Sequence, residues 1–211
     1  MAWMSRHETE ALVSIWFHPR GTIRDLLDEN RGRWLAFLLV LLFGISFTMD
    51  QISFGEYGDW YSLSFLLGIS VPIGLPVGLL MWLLYGGLFW GIGRLLGGTA
   101  AWMDVMTAVA WAFIPYTAKL LIWLFRALSF GEETFTLFTP NIDSNFSLLI
   151  LYFLFLILDV VLTMWFYALL ILIVSEAHQM AVWKGALTVV SGIAALWLVL
   201  KYLFHTVIMP F

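Results

Sequence analysis

The stretch Leu148–Leu158, LLILYFLFLIL, decides the fold: its most polar residue is Tyr152. A helix crosses the hydrocarbon core with about 20 mostly apolar residues, and apolar sequence extends this run to roughly Phe146–Val174. Working outward, further apolar segments lie at Trp34–Met49, Tyr61–Leu96, Ala108–Leu128 and Gly185–Phe204. The reading is an all-α, polytopic membrane helix bundle of about five transmembrane helices, preceded by short amphipathic helices. It divides into a cytoplasmic arm, residues 1–33, and a bundle, residues 34–211.

Composition agrees. Hydrophobic residues make up 62% of the chain and charged residues 11%, against about 25% charged in an ordinary soluble domain. With no cysteine, disulfides, thiolate metal sites and a cysteine nucleophile are excluded. The net charge of −4 is segregated along the chain and makes no case for nucleic acid. The first 33 residues carry Arg6, His7, Glu8 and Glu10 without a continuous apolar core, so no cleavable secretory signal is expected.

In the arm, Ala11, Leu12, Ile15 and Trp16 share one face of a helix that should end near His18, ahead of Pro19. A second helix is expected from Thr22, with Thr22 as its cap and Asp25 three residues on. Both should lie on the membrane surface or against the bundle. Asp50, Glu56 and Asp59 read as an acidic loop after the first span. Tyr61–Leu96 is too long for one straight span and too short for two. Pro72 and Pro76 suggest a break, with a full helix from about Pro76 to Leu95. Ala100–Thr107 reads as a short surface helix, Pro115 as a kink in the third span, and Ser129–Asn145 as a polar loop.

Arg6, Arg20, Arg24, Arg31 and Arg33 precede the first span, and the next loop has no Lys or Arg, which places the N-terminus in the cytoplasm. Arg20, Arg24, Arg31 and Arg33 are candidate contacts for anionic lipid or a partner, each worth about 1 kcal/mol near an anionic surface. With five spans the C-terminus lies outside. Small residues at four-residue spacing, Gly74 with Gly78, Gly87 with Gly91 and Gly93 with Gly97, permit close helix packing, inside the bundle or in a homo-oligomer.

Two charges fall within spans, Lys119 and Asp159. Charge at membrane depth is costly and faces the interior or a cavity. By helical rise Lys119 lies about 10 Å from Arg126 and Asp159 about 20 Å from Phe146, an imperfect match for a pair. Tyr116 and Thr163, each one turn away, complete a candidate polar site, either a neutralised pair or a proton or ion pathway. His7, His18, His178 and His205 show no H-E-x-x-H spacing. Glu176 and His178 read as a solvated loop. No G-x-S-x-G or P-loop pattern occurs, so neither a catalytic residue, a metal nor a cofactor is expected.

Pro19-Arg20-Gly21-Thr22-Ile23-Arg24, before the first span, resembles the opening of bacterial Yip1-domain proteins. Gly97-Gly98-Thr99, Val105–Ala112 and Phe113-Ile114-Pro115 look like that family's glycine turn, short helix and A-x-I-P segment. Glu176-Ala177-His178 and Trp183-Lys184-Gly185-Ala186 are similar to its C-terminal hairpin. The resemblance covers roughly Phe17 to Tyr202. It implies five spans, a cytoplasmic N-terminus and an external or lumenal C-terminus. Eukaryotic members resemble adaptors for prenylated Rab-type GTPases, but the Asp-Leu-Tyr-Gly-Pro element and the long cytosolic arm are missing here, which points to a bacterial plasma membrane. Some bacterial members are associated with ABC-type export systems. The expected function is a non-enzymatic accessory or scaffold protein whose partners are the lipid bilayer and other membrane proteins, ABC transporter subunits among them. The alternative is a small ion- or proton-coupled transporter or channel using Lys119 and Asp159. A third reading is an intramembrane enzyme acting on lipid through His178 or Glu176.

Overall fold

The computed structural model describes residues 6–29 and 32–203. Arg31, His205 and the expected end of the fifth span at Phe204 lie outside the described residues, as does the side chain of His7. Among the described residues every regular element is helical: α1 (Arg6–Ser14), α2 (Pro19–Asp28), α3 (Arg33–Phe54), α4 (Leu63–Leu95), α5 (Trp102–Ala112), α6 (Ile114–Phe130), α7 (Pro140–Ser144), α8 (Phe146–Ala177) and α9 (Val182–Leu203). Five stretches among the described residues are long and apolar enough to cross a membrane: α3, α4, Trp102–Phe135, α8 and Val182–Tyr202.

Several boundaries differ from the sequence reading, each for a physical reason. α4 is one 33-residue helix through Pro72 and Pro76, with no break at either. Unpaired backbone groups are costly in an apolar medium, so losing two ladder donors to proline disturbs less than unwinding a turn. At about 50 Å, α4 exceeds the hydrocarbon thickness of about 30 Å. α3 likewise continues to Phe54, so Asp50 belongs to the first span and not to a loop. Stopping at Met49 would give only about 24 Å of helix.

The expected surface helix is α5, and Val105 to Ala112 are all buried. Their apolar character runs all round the helix, which is the pattern of a buried element. Pro115 stands in the first turn of α6, where its missing N–H takes nothing from the ladder. It marks a restart after Phe113 and not a kink. α2 begins at Pro19, not Thr22. The Thr22 hydroxyl caps nothing and instead donates back to the His18 carbonyl at 2.9 Å.

The chain divides into two compact units. One comprises Met1–Arg33, Trp82–Ala112 and Ala168–Phe211. There Ile15, Ile23 and Leu26 of the arm are buried, and the Trp111 ring leaves no room for a side chain at Gly32, where a Cβ would fall 2.7 Å from it and φ is positive at 74°. Trp82 Nε1 donates to the Met106 carbonyl at 2.7 Å. α4 and α8 end in matching Schellman turns: Gly98 N donates to Gly93 O at 2.8 Å, and Met180 N to Ser175 O at 2.9 Å. Gly97 takes the left-handed position in the first, but Gln179 takes it in the second.

The other unit comprises Trp34–Met81 and Phe113–Tyr167. α3 crosses α4 at Gly44, Gly74 and Gly78, where backbone meets backbone. Phe43 stacks on Phe113 with ring centroids 3.8 Å apart. The polar segment after α6 is well tied. Glu133 accepts from Asn141 N and Ile142 N at the start of α7, Glu132 accepts from Leu63 N at 2.7 Å, and Asp59 accepts from Leu137 N at 3.2 Å.

Candidate functional site

In the second of these units α6 presents Tyr116, Lys119 and Trp123 on one face, by the i, i+3, i+7 spacing of a helix. All three converge on Asp50 of α3. Lys119 Nζ donates to Asp50 Oδ2 at 2.5 Å, the Tyr116 hydroxyl donates to the same oxygen, and Trp123 Nε1 donates to Oδ1 at 3.1 Å. From α8, Asp159 Oδ1 lies 2.9 Å from Lys119 Nζ. Thr163 Oγ1, one turn on, lies 3.4 Å from it. The ammonium also sits over the Tyr116 ring, 4.3 Å from its centroid. Lys119 is only 2% exposed and Asp159 25%.

The four residues expected to form a polar site, Lys119, Asp159, Tyr116 and Thr163, are thus brought together. The apparent mismatch in depth came from measuring to Arg126. Measured from the α6 end at Phe130, Lys119 lies about 16 Å deep, close to the 20 Å or so of Asp159 from Phe146. The sequence reading missed Asp50 and Trp123. The length of the first span held the signal for Asp50, since a helix long enough to cross must include it. Arg126 sits near Trp123 and Tyr152, with its guanidinium carbon 4.6 and 5.7 Å from the ring centroids.

The first unit holds a second cluster. Arg20 and Arg24, one above the other on α2, grip Glu176 in the last turn of α8. Arg20 Nε donates to Oε2 and Arg24 Nε to Oε1, both at 2.7 Å, and Arg24 Nη2 reaches the same Oε1. Glu176 is 8% exposed and His178 1%, so neither belongs to the solvated loop expected for them. Of the other arginines expected at the surface, Arg33 is exposed.

His178 is wedged between the two Schellman turns. Its Nε2 faces the Phe89 carbonyl at 3.1 Å. A carbonyl only accepts, so Nε2 carries the proton, and Nδ1 has no partner among the described residues. A Cβ on Gly93 would fall 2.2 Å from Nε2, and one on Gly98 2.3 Å from Nδ1. The His178 carbonyl accepts from Thr99 N at 3.2 Å, and Lys184 Nζ donates to Leu96 O at 3.0 Å.

Burial depresses the His178 pKa, and Arg94 adds to this, against the raising effect of the Phe89 carbonyl. The unfolded chain therefore binds the proton more readily. Stability is unaffected well above pH 6.5 or so and falls as the pH drops below it. Thermal unfolding of detergent-purified protein between pH 8 and pH 5 should show this loss, and a His178→Gln variant should show a flatter pH profile. Equal pH slopes would remove His178 as the cause.

The glycines separate by role. Gly74 and Gly78 pack α4 onto α3, Gly93 seats His178, and a Cβ added at Gly87 would lie 3.5 Å from the Trp102 ring. Gly97 serves the turn through its φ of 89°, while a Cβ added at Gly91 would meet nothing within 4 Å among the described residues.

A chain with five apolar spans among the described residues, a buried charge cluster at Lys119 and glycine-lined helix contacts is a polytopic helical membrane protein. Residues 13–204 match the family model of the Yip1 domain, and the chain belongs to that family. No curated protein and no solved structure matches it.

Proposed function

We propose that this protein is a non-enzymatic accessory or scaffold protein of a bacterial plasma membrane. Its N-terminus is cytoplasmic and its C-terminus external. Residues 1–33 form the cytoplasmic arm and 34–211 the bundle, which binds other membrane proteins, such as subunits of an ABC-type exporter, or a second copy of itself. One observation carries this reading: the intramembrane charges close on one another. Lys119 is held by Asp50, Asp159 and Thr163, and both oxygens of Asp50 accept hydrogen bonds. Such a cluster acts as a bolt between α3, α6 and α8. The outward apolar residues of α8, among them Ile150, Phe153, Ile157, Val161 and Met164, remain for lipid or partner helices.

The competing reading, proton- or ion-coupled transport, draws on the same cluster. One ammonium bridges two carboxylates, and Asp159 keeps a quarter of its surface exposed. The two separate in one experiment. The tagged protein is cross-linked in its native membrane, purified and identified by mass spectrometry, and the protein alone is reconstituted for flux measurements. A near-stoichiometric permease or ATPase subunit with silent proteoliposomes supports the accessory role. Proton or ion flux that Asp159→Asn abolishes at normal abundance would overturn it.

A further inference from the structure

Between α2, the start of α5 and the α8–α9 turn lies a cavity of about 680 Å³, within the size range of small-ligand sites. Its walls carry both signs of charge. Arg20, Arg24 and Asp28 line it from α2, Asp104 from α5 and Glu176 from α8. Glu176 accepts from Arg20 through Nε, and Arg20 itself lines the cavity. Asp28 is exposed, and Asp104 uses one oxygen to accept from Ala101 N at 3.3 Å. Gln179 also lines the cavity. Its backbone is left-handed, with φ 53°, where glycine is the unstrained residue and any other costs about 1 kcal/mol.

The charges restrict what fits. A purely anionic ligand meets three carboxylates, and a purely cationic one meets two guanidiniums. A zwitterion carrying a phosphate and a primary ammonium meets both signs: guanidinium N–H groups suit phosphate oxygens, and an ammonium offers three donors to carboxylates. Position adds the source. The turn joins the end of α8 to the start of Val182–Tyr202, both membrane-spanning. Trp183 beside it is exposed, as an interfacial anchor is. The cavity therefore lies at headgroup level.

We infer that this cavity binds a phosphate–ammonium headgroup of the phosphatidylethanolamine type, with the phosphate on Arg20 and Arg24 and the ammonium on Asp28 and Asp104. The inference stands independently of the accessory role. The test titrates full-length detergent-purified protein with short-chain phosphatidylethanolamine, phosphatidylcholine and phosphatidylglycerol, read by native mass spectrometry. Phosphatidylcholine has no N–H donor and phosphatidylglycerol no cation. One ethanolamine lipid should bind about tenfold tighter than either, the effect of one charge-assisted hydrogen bond. Asp28→Asn with Asp104→Asn should erase that preference at unchanged melting temperature, since Asn keeps the oxygen that accepts from Ala101 N.

Competition by O-phosphoethanolamine at equal affinity would support the same chemistry with a soluble source, and failure to compete would support the lipid. Equal binding of the three lipids to the unmodified protein, or a preference that survives the double substitution, would overturn the assignment. Because the lipid comparison needs no variant, a misfolded double mutant leaves the test intact.

Discussion

Replacing Lys119 with Met should destabilise the protein by about 3–5 kcal/mol, the usual cost of removing one partner from a buried ion pair. The size of the effect follows from the geometry. Lys119 is the only cation within salt-bridge distance of Asp50 and of Asp159 among the described residues. Without it, two carboxylates face each other at membrane depth, where charge is expensive. Tyr116 and Trp123 still donate to Asp50, but neither supplies a charge. Unfolding in mixed detergent, together with membrane abundance, measures the loss. Adding Asp50→Asn and Asp159→Asn to the Lys119→Met variant should recover much of it, because a neutral replacement of a buried ion cluster is often close to neutral in stability. A Lys119→Met protein of unchanged stability would sink the idea of a structural bolt and return the cluster to the transport reading.

The second large effect is expected at Gly44. A Cβ there would lie 2.0 Å from the Gly74 carbonyl oxygen and 2.5 Å from the Gly78 Cα. Both neighbours are backbone, so no rotamer change relieves the overlap and α3 and α4 must separate. Lipid offers no hydrophobic drive between helices, and close van der Waals packing is a main source of their association. Gly44→Val should therefore cost about 3 kcal/mol or more, at or beyond the upper end for overpacking. Gly91→Ala on the same α4 supplies the contrast. Nothing lies within 4 Å of its added methyl, and alanine is preferred in a helix by about 1 kcal/mol, so this variant should be neutral or slightly more stable. If the two substitutions behave alike, the glycine contact is not what holds α3 to α4.

The difference between Gly44 and Gly91 also marks the reach of sequence reasoning. Four-residue spacing picked out Gly74, Gly78, Gly87, Gly91, Gly93 and Gly97 alike, because spacing defines a face but not what the face meets. Gly44 has no partner at that spacing and escaped notice, although it makes the tightest approach of the set. Asp50 was missed for a related reason: a polar residue near the end of an apolar run reads as loop until the span is measured against the bilayer. Glu176 and His178 looked like solvated residues because they lie beyond the expected end of the fourth span at Val174, although α8 itself continues to Ala177. Their burial comes from Arg20, Arg24, Gly93 and Gly98, which are distant in sequence.

The sequence alone determined the class, the five spans and the two intramembrane charges Lys119 and Asp159. The bilayer enforces these locally: each span must be apolar along its own length and satisfy its own backbone. Pairing was decided only in three dimensions. That Lys119 takes Asp50 as well as Asp159, that Glu176 is gripped by Arg20 and Arg24, and that Gly74 meets Gly44 all depend on the register between helices. Close packing between helices far apart in the chain sets that register, and no local stretch of sequence records it.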